Sequence, residues 1–401
     1  MAHDVTKRCV FYLSGFDPKG PSYYHALYCE EGGRQSRQDG WRLDVGDRRR
    51  QASHNAYWTV NASFNEHRVQ THYEFMRWDD LVRHNWKKTT WTIWRDVIST
   101  TFFYLRHGTL WKMFCLSWPP TLVALMPFLL VWAMLLGVPL VAMGCALVVH
   151  HIIGSIEQGL VVGGLISMVL WVAGRKFETR YSIYWMTRSH AFTARQARGE
   201  VLDLENRLDQ MARRLVERIE ARQDDEVLVV GHSTGSIMAV SILARAVKLS
   251  PNLLCGPTSV SLLTLGQWIP LLGLLPMARQ FRTELEVLSG LDGLSWVDFS
   301  APSDGCCFAL TDPFKACGIG RDANSGVDLK ILNPRFAMLF DEASYAALKR
   351  NKFLMHFQYL RATQRIDGYN YFAITAGSMS LKSRFTSVAN VSNYADLRPF
   401  G

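Results

Sequence analysis

Two kinds of hydrophobic pattern divide this chain. Short apolar runs, rich in β-branched and aromatic residues, recur at residues 9–14, 57–64, 69–78, 226–230, 259–265 and 294–299. Runs of this length and composition predict strands. Between them lie helical stretches. Residues 23–37 are polar, Asp79 and Asp80 place negative charge at the start of a helix, and residues 236–247 are rich in Ala, Ile and Leu. In the polar region 177–223, Leu204, Leu208, Met211, Leu215 and Ile219 recur at spacings of three and four. That spacing predicts one helix with an apolar stripe, packed on a sheet just before the run at 226–230. Residues 40–55 are polar and Arg-rich and are expected to form an exposed loop.

The second pattern is long. Residues 113–156 contain no Asp, Glu, Lys or Arg, and after Glu157 residues 158–174 are again uncharged. A membrane-crossing helix needs about 20 apolar residues, so the block holds two expected spans, near 121–147 and 155–172. A single long buried helix is the alternative. It is disfavoured by length and by Pro127 and Pro139, which are expected to break it. Lys87, Lys88, Arg95, Arg106 and Lys112 precede the first span, and Arg175, Lys176, Arg180 and Arg188 follow the second. The turn between them, roughly 148–158, has neither Lys nor Arg. This asymmetry predicts both flanks on the cytoplasmic side, an inner membrane if the cell is bacterial.

Charge and composition refine the picture. The 401 residues carry a formal net charge of +9, which suits contact with anionic lipid headgroups. Nucleic acid is not expected as a partner, because no groove-reading motif is present. From 81 to 116 Trp, Phe and Tyr are interleaved with basic residues, among them Trp86, Trp91, Trp94, Phe102, Tyr104 and Trp111. This is the composition of a helix lying at the bilayer surface. A core helix with a solvated basic edge is the plainer reading. The eight cysteines have no metal-type spacing, and are read as reduced and cytoplasmic. Residues 1–8 are polar and do not form a signal peptide.

The chemistry centres on Gly231-His232-Ser233-Thr234-Gly235, between the apolar run at 226–230 and the helix that begins at Ser236. A strand that turns at once into a helix holds Ser233 at a strained corner, and the helix N-terminus offers N–H groups to a developing oxyanion. In this form the chain resembles the α/β-hydrolase superfamily, over roughly residues 9–78 and 223–374. A Gly-rich strand–helix turn in another α/β fold is the alternative. The resemblance implies an α/β fold with a mostly parallel sheet flanked by helices, here with a two-helix transmembrane hairpin inserted before the elbow. The expected organisation is 1–80 as the first part of that domain, 81–118 as the interfacial segment, 119–175 as the hairpin, and 176–401 as the second part.

The resemblance also implies the chain order Ser, acid, His. His356 is the single histidine after Ser233 and is therefore the expected base. Asp304, in the small-residue loop after the run at 294–299, is the first choice of acid; Asp298 is the second and Asp312 the third. His232 is expected to point away from Ser233 and to pack the elbow. The loop Gly15-Phe16-Asp17 lies where the family supplies one oxyanion N–H, so Phe16 and Thr234 are the expected donors. No metal and no cofactor are required. The run 267–277 is strongly apolar and punctuated by Pro and Gly. It reads as a lid dipping into the membrane or as a buried loop under a cap, the former preferred. The expected activity is cleavage of an acyl ester, a lipid or another membrane-resident substrate. An acyltransferase with the same triad and a non-catalytic binding or scaffold protein are the alternatives.

Overall fold

The computed structural model describes residues 5–51, 55–64, 66–86, 89–321, 326–366 and 368–391. His3, His54, Lys87 and Lys88 lie outside the described residues. The chain forms two compact units: residues up to Asn85 together with those from Arg195 onward, and Trp86–Ala194. The expected boundaries shift accordingly. Residues 81–85 belong with the sheet, and the second unit runs on past 175 to Ala194.

The first unit is built on a nine-stranded sheet. Its strands are β1 (Lys7–Leu13), β2 (Arg42–Val45), β3 (Arg49–Arg50), β4 (Ala56–Phe64), β5 (His67–Phe75), β6 (Glu226–His232), β7 (Ser259–Leu265), β8 (Ser295–Phe299) and β9 (Asp328–Leu332). They lie in the order β2-β4-β5-β1-β6-β7-β8-β9, with β3 paired to β4. From β5 to β9 every pairing is parallel, and β4 joins β5 antiparallel. The segment 40–55, expected as a loop, contributes the edge strands β2 and β3. Its alternating polar residues suit a strand with one wet face. β5 stops at Phe75, short of Trp78, which precedes a helix.

The helices of this unit include α1 (Pro21–Asp39) and α2 (Asp79–His84). Six others, α3 to α8, lie at least in part in the second unit. Then follow α9 (Leu202–Glu220), α10 (Gly235–Leu249), α11 (Ile269–Gly273), α12 (Arg279–Ser289), α13 (Pro313–Ala316), α14 (Phe336–Leu339), α15 (Glu342–Arg350) and α16 (Lys352–Phe357). Successive strand residues face opposite sides, and both sides are covered. Val10, Tyr12, Leu228 and Val230 pack with Tyr24 and Tyr28 of α1 and with Phe357 and Tyr359. The stripe Leu204, Leu208, Met211, Leu215 and Ile219 of α9 is buried, as its spacing predicts. Each such side chain contributes about 1.5–3 kcal/mol. Arg245 of α10 binds Glu205 and Asp209 of α9 and Glu284 of α12, which locks the three helices together. The apolar run 267–277 is no lid: Ile269, Leu271, Leu272 and Leu275 are buried, and the run forms the short helix α11. Most of its apolar side chains pack inside this unit; Leu274 is half-buried and Met277 is exposed.

The second unit is helical: α3 (Thr90–Arg106), α4 (Thr109–Leu116), α5 (Trp118–Trp132), α6 (Val138–Ile153), α7 (Ile156–Tyr181) and α8 (Ile183–Ala197). A π-turn, Ala133–Gly137, joins α5 to α6 without a break. Two helical runs, Trp118–Ile153 and Ile156–Tyr181, are long and apolar enough to cross a membrane. They exceed the expected 121–147 and 155–172, and the turn between them shrinks to Gly154 and Ser155. Neither proline breaks the first run. Pro127 sits inside α5, and Pro139 follows the π-turn, whose wider winding makes room for the ring. α6 and α7 pack antiparallel at very close range. A Cβ on Gly159 would lie 2.4 Å from the Ala146 carbonyl oxygen, and one on Gly163 would lie 2.6 Å from that of Ala142. Small residues spaced by four permit this approach. Of the 81–116 segment, Ile93, Trp94, Val97 and Tyr104 are buried, while Trp91, Phe102, Leu105, Trp111 and Phe114 are exposed.

Candidate active site

The strand order reverses between β1 and β6: the chain leaves β1 toward β5 and leaves β6 toward β7. In open α/β sheets the crevice at the carboxyl ends of such a strand pair is where ligands bind. The loop 14–20 leaves β1 there, and Ser233 leaves β6 there. Ser233 has φ 58°, a left-handed backbone that non-glycine residues rarely adopt. Its N–H donates to the Leu265 carbonyl at 2.9 Å, and its own carbonyl accepts from the Ser236 hydroxyl at 2.6 Å. Both flanking glycines are sterically required. A Cβ on Gly231 would lie 2.6 Å from the Gly235 carbonyl oxygen, and one on Gly235 would lie 2.3 Å from that of Leu13. Gly15 lies over the corner, with its Cβ position 2.9 Å from Ser233 Cβ. Ser233 is half-buried.

Asp304 and His356 meet, although 52 residues separate them. His356 Nδ1 donates to Asp304 Oδ2 at 2.8 Å, which leaves Nε2 as the lone-pair nitrogen. Asp304 sits in the loop after β8 and His356 on α16. The carboxylate also accepts from the Tyr359 hydroxyl at 3.1 Å and from the Cys306 N–H at 2.9 Å. Burial pushes the Asp304 carboxyl up; the charge of His356 and these hydrogen bonds push it down further, so it lies below the usual carboxylate range. Tyr359 in turn accepts from the Ala301 N–H at 2.8 Å, tying the acid loop to the segment that carries His356. Gly266 makes this possible: it has φ 54°, and a Cβ there would lie 2.8 Å from the Tyr359 ring. Neither Tyr359 nor Gly266 carries a sequence signal for this role beyond proximity to His356 and to the end of β7.

His232 lies beneath His356. Its Nε2 donates to the His356 carbonyl at 2.9 Å, and the two rings are 5.0 Å apart. Burial and the neighbouring His356 push its pKa down to about 3, so it stays neutral while it supports the His356 backbone. No hydrogen bond joins Ser233 Oγ to His356 among the described residues; such bonds tighten when substrate binds. At the expected oxyanion donors, the Phe16 N–H donates to Thr234 Oγ1 at 2.6 Å. This N–H is therefore occupied by the Thr234 hydroxyl in the structure.

The other two carboxylates are elsewhere. Asp298 is buried and accepts from Thr264 Oγ1 at 2.7 Å and Ser300 Oγ at 2.8 Å, which fastens the start of the acid loop. Burial outweighs these bonds and raises its pKa to about 7. Asp312 caps α13 by accepting from the Phe314 and Lys315 N–H groups. Among the described residues no group of three or more His, Cys, Asp or Glu side chains is arranged to hold a metal. The chain matches no known protein family, no curated protein and no solved structure.

Proposed function

We propose that the chain is a membrane-held serine hydrolase of α/β-hydrolase type that cleaves acyl esters, with a lipid or other membrane-resident ester as substrate. The observation that carries the reading is the Asp304–His356 hydrogen bond, formed between the loop after β8 and α16, with the strained Ser233 corner likewise at the carboxyl end of its strand. Ser233 Oγ attacks the acyl carbonyl as its proton passes to His356 Nε2. The negative charge on the carbonyl oxygen is held by the N–H groups of Thr234 and Phe16 and by the N-terminus of α10. His356 gives the proton to the departing alcohol, and an acyl group remains on Ser233. Water, deprotonated by His356, then attacks this ester; its collapse releases the carboxylic acid and restores the Ser233 hydroxyl. Asp304 keeps the His356 proton on Nδ1 and offsets the charge of the imidazolium.

The long apolar helices support a bilayer anchor, and the exposed Trp91, Phe102 and Trp111 support contact with its surface. The basic flanks described above support a cytoplasmic position for both ends. Labelling with a neutral fluorophosphonate in native membranes tests the enzyme reading. The native chain should label, Ser233→Ala should not, and His356→Ala should label far more slowly. A folded native chain that resists the probe overturns it.

A further inference from the structure

The loop that carries Phe16 also carries a cation that the reaction above does not use. Lys19 Nζ lies 4.0 Å from the Tyr23 ring centroid, 5.3 Å from that of Phe353 and 5.7 Å from that of Phe357. Tyr23 belongs to α1, at the far end of this loop; Phe353 and Phe357 belong to α16, the helix of His356. Phe357 also packs on His232, 5.2 Å between centroids. Thus a single ring separates the ammonium from His232, which precedes Ser233 and packs on His356. Aromatic faces attract a cation but accept none of its three strong hydrogen bonds. Among the described residues Lys19 forms no ion pair. The nearby acid, Asp17, is stabilised as a carboxylate by the Lys19 charge, yet its oxygens accept from other donors. Its Oδ1 accepts the Lys19 backbone N–H at 2.9 Å and its Oδ2 accepts the Tyr24 hydroxyl at 2.9 Å.

We propose that Lys19 is the specificity residue of this site and binds an anionic oxygen group, phosphate above all, carried by the ester. The inference rests on the hydrolase reading for the word ester, but the anion site stands on its own geometry. The rings hold the half-buried ammonium at the rim, between the oxyanion loop and the histidine helix, where its N–H donors remain available to a ligand. Exposed Lys352, at the start of α16, adds a second positive charge to that helix. An anion here gains a charge-assisted hydrogen bond in a partly desolvated setting, which favours a charged substrate over a neutral one through KM.

Calorimetric binding of hexyl phosphate to the detergent-solubilised full chain tests this. Native protein and Ser233→Ala should bind. Lys19→Met, which keeps the apolar stem against the rings, should bind about tenfold more weakly, and Lys19→Arg should recover most of the loss. Inorganic phosphate binding as tightly as hexyl phosphate, with the same dependence on Lys19, would identify a free anion rather than a lipid headgroup as the source. No binding by the native chain, or equal binding by Lys19→Met, overturns the anion site. Fluorophosphonate labelling runs in parallel. Labelling without Lys19-dependent binding refutes this inference alone, whereas Lys19-dependent binding without labelling refutes the hydrolase reading alone.

Discussion

Asp304→Asn keeps the size of the side chain and removes its charge. In the native site three donors converge on an acceptor-only group: His356 Nδ1 at 2.8 Å, the Cys306 N–H at 2.9 Å and the Tyr359 hydroxyl at 3.1 Å. An amide brings donors of its own, so one end must face a donor. With its nitrogen in the Oδ2 position, the amide donates to His356 Nδ1 and moves the ring proton to Nε2, the atom that must receive the Ser233 proton. Reversed, the nitrogen meets the Cys306 N–H, a backbone group that cannot rotate away. The electrostatic loss adds to this. Opposite unit charges about 4 Å apart at an effective dielectric of about 20 attract by about 4 kcal/mol, and that support for the imidazolium disappears, about 10³-fold in rate. The wrong tautomer takes the expected loss to about 10⁴-fold, the size seen when a Ser-His-Asp triad loses its carboxylate this way.

The assay is hydrolysis of a p-nitrophenyl ester by the solubilised full chain, with fluorophosphonate labelling alongside. Asp298→Asn is the matched control. Asp298 titrates near 7, so at pH 6 the amide replaces a mostly protonated acid, and the rate should change by less than about threefold. An Asp304→Asn rate within tenfold of native, or an equal loss in Asp298→Asn, would refute the assignment of the acid.

Three further outcomes are expected. Gly235→Ala should fail to fold or melt far below the native chain, because its Cβ would meet the Leu13 backbone at 2.3 Å; Gly256→Ala, with nothing within 4 Å, should melt as native does. Thr234→Val removes the hydroxyl that would compete with an oxyanion for the Phe16 N–H; labelling should quicken by up to about tenfold, and an unchanged rate would remove Phe16 from the oxyanion site. The third concerns pH. Asp298 binds its proton more tightly folded (about 7) than unfolded (near 3.8), so its contribution to stability is full below about pH 4 and lost as pH rises to about 7. His232, depressed to about 3, acts oppositely over much of this window. The stability of native minus that of Asp298→Asn, from denaturant titrations, should therefore fall from pH 4 to pH 7; a flat difference would contradict the buried environment assigned to Asp298.

Much of this architecture is legible residue by residue. The run 259–265 coincides with β7, the stripe from Leu204 to Ile219 is the buried face of α9, and the uncharged block forms the two long apolar helices. Such features rest on local rules: side-chain period, apolar run length, and the absence of a Cβ at Gly231 and Gly235. Those rules also account for the left-handed corner at Ser233. Other features depend on what tertiary neighbours supply. Arg42–Val45 and Arg49–Arg50 become edge strands because β4 offers them partners. The run 267–277 is largely buried where composition alone slightly favours a lid. Pro127 and Pro139 stay within a helical run because a π-turn absorbs the second ring.

The candidate site divides in the same way. The strand–turn–helix form singles out Ser233, and the lone downstream histidine singles out His356, from sequence alone. Three aspartates then compete with equal chemistry, since a carboxylate reads the same in any loop. Only the folded chain brings Asp304 to Nδ1 of a histidine 52 residues away, buries Asp298 against Thr264 and Ser300, and sets Asp312 at a helix start. The contacts of Lys19 with rings from two separate helices are likewise absent from any local pattern. Local sterics and hydrophobic period are written over a few neighbouring residues. The choice of partner for a charged group depends on loops that only the completed sheet brings together.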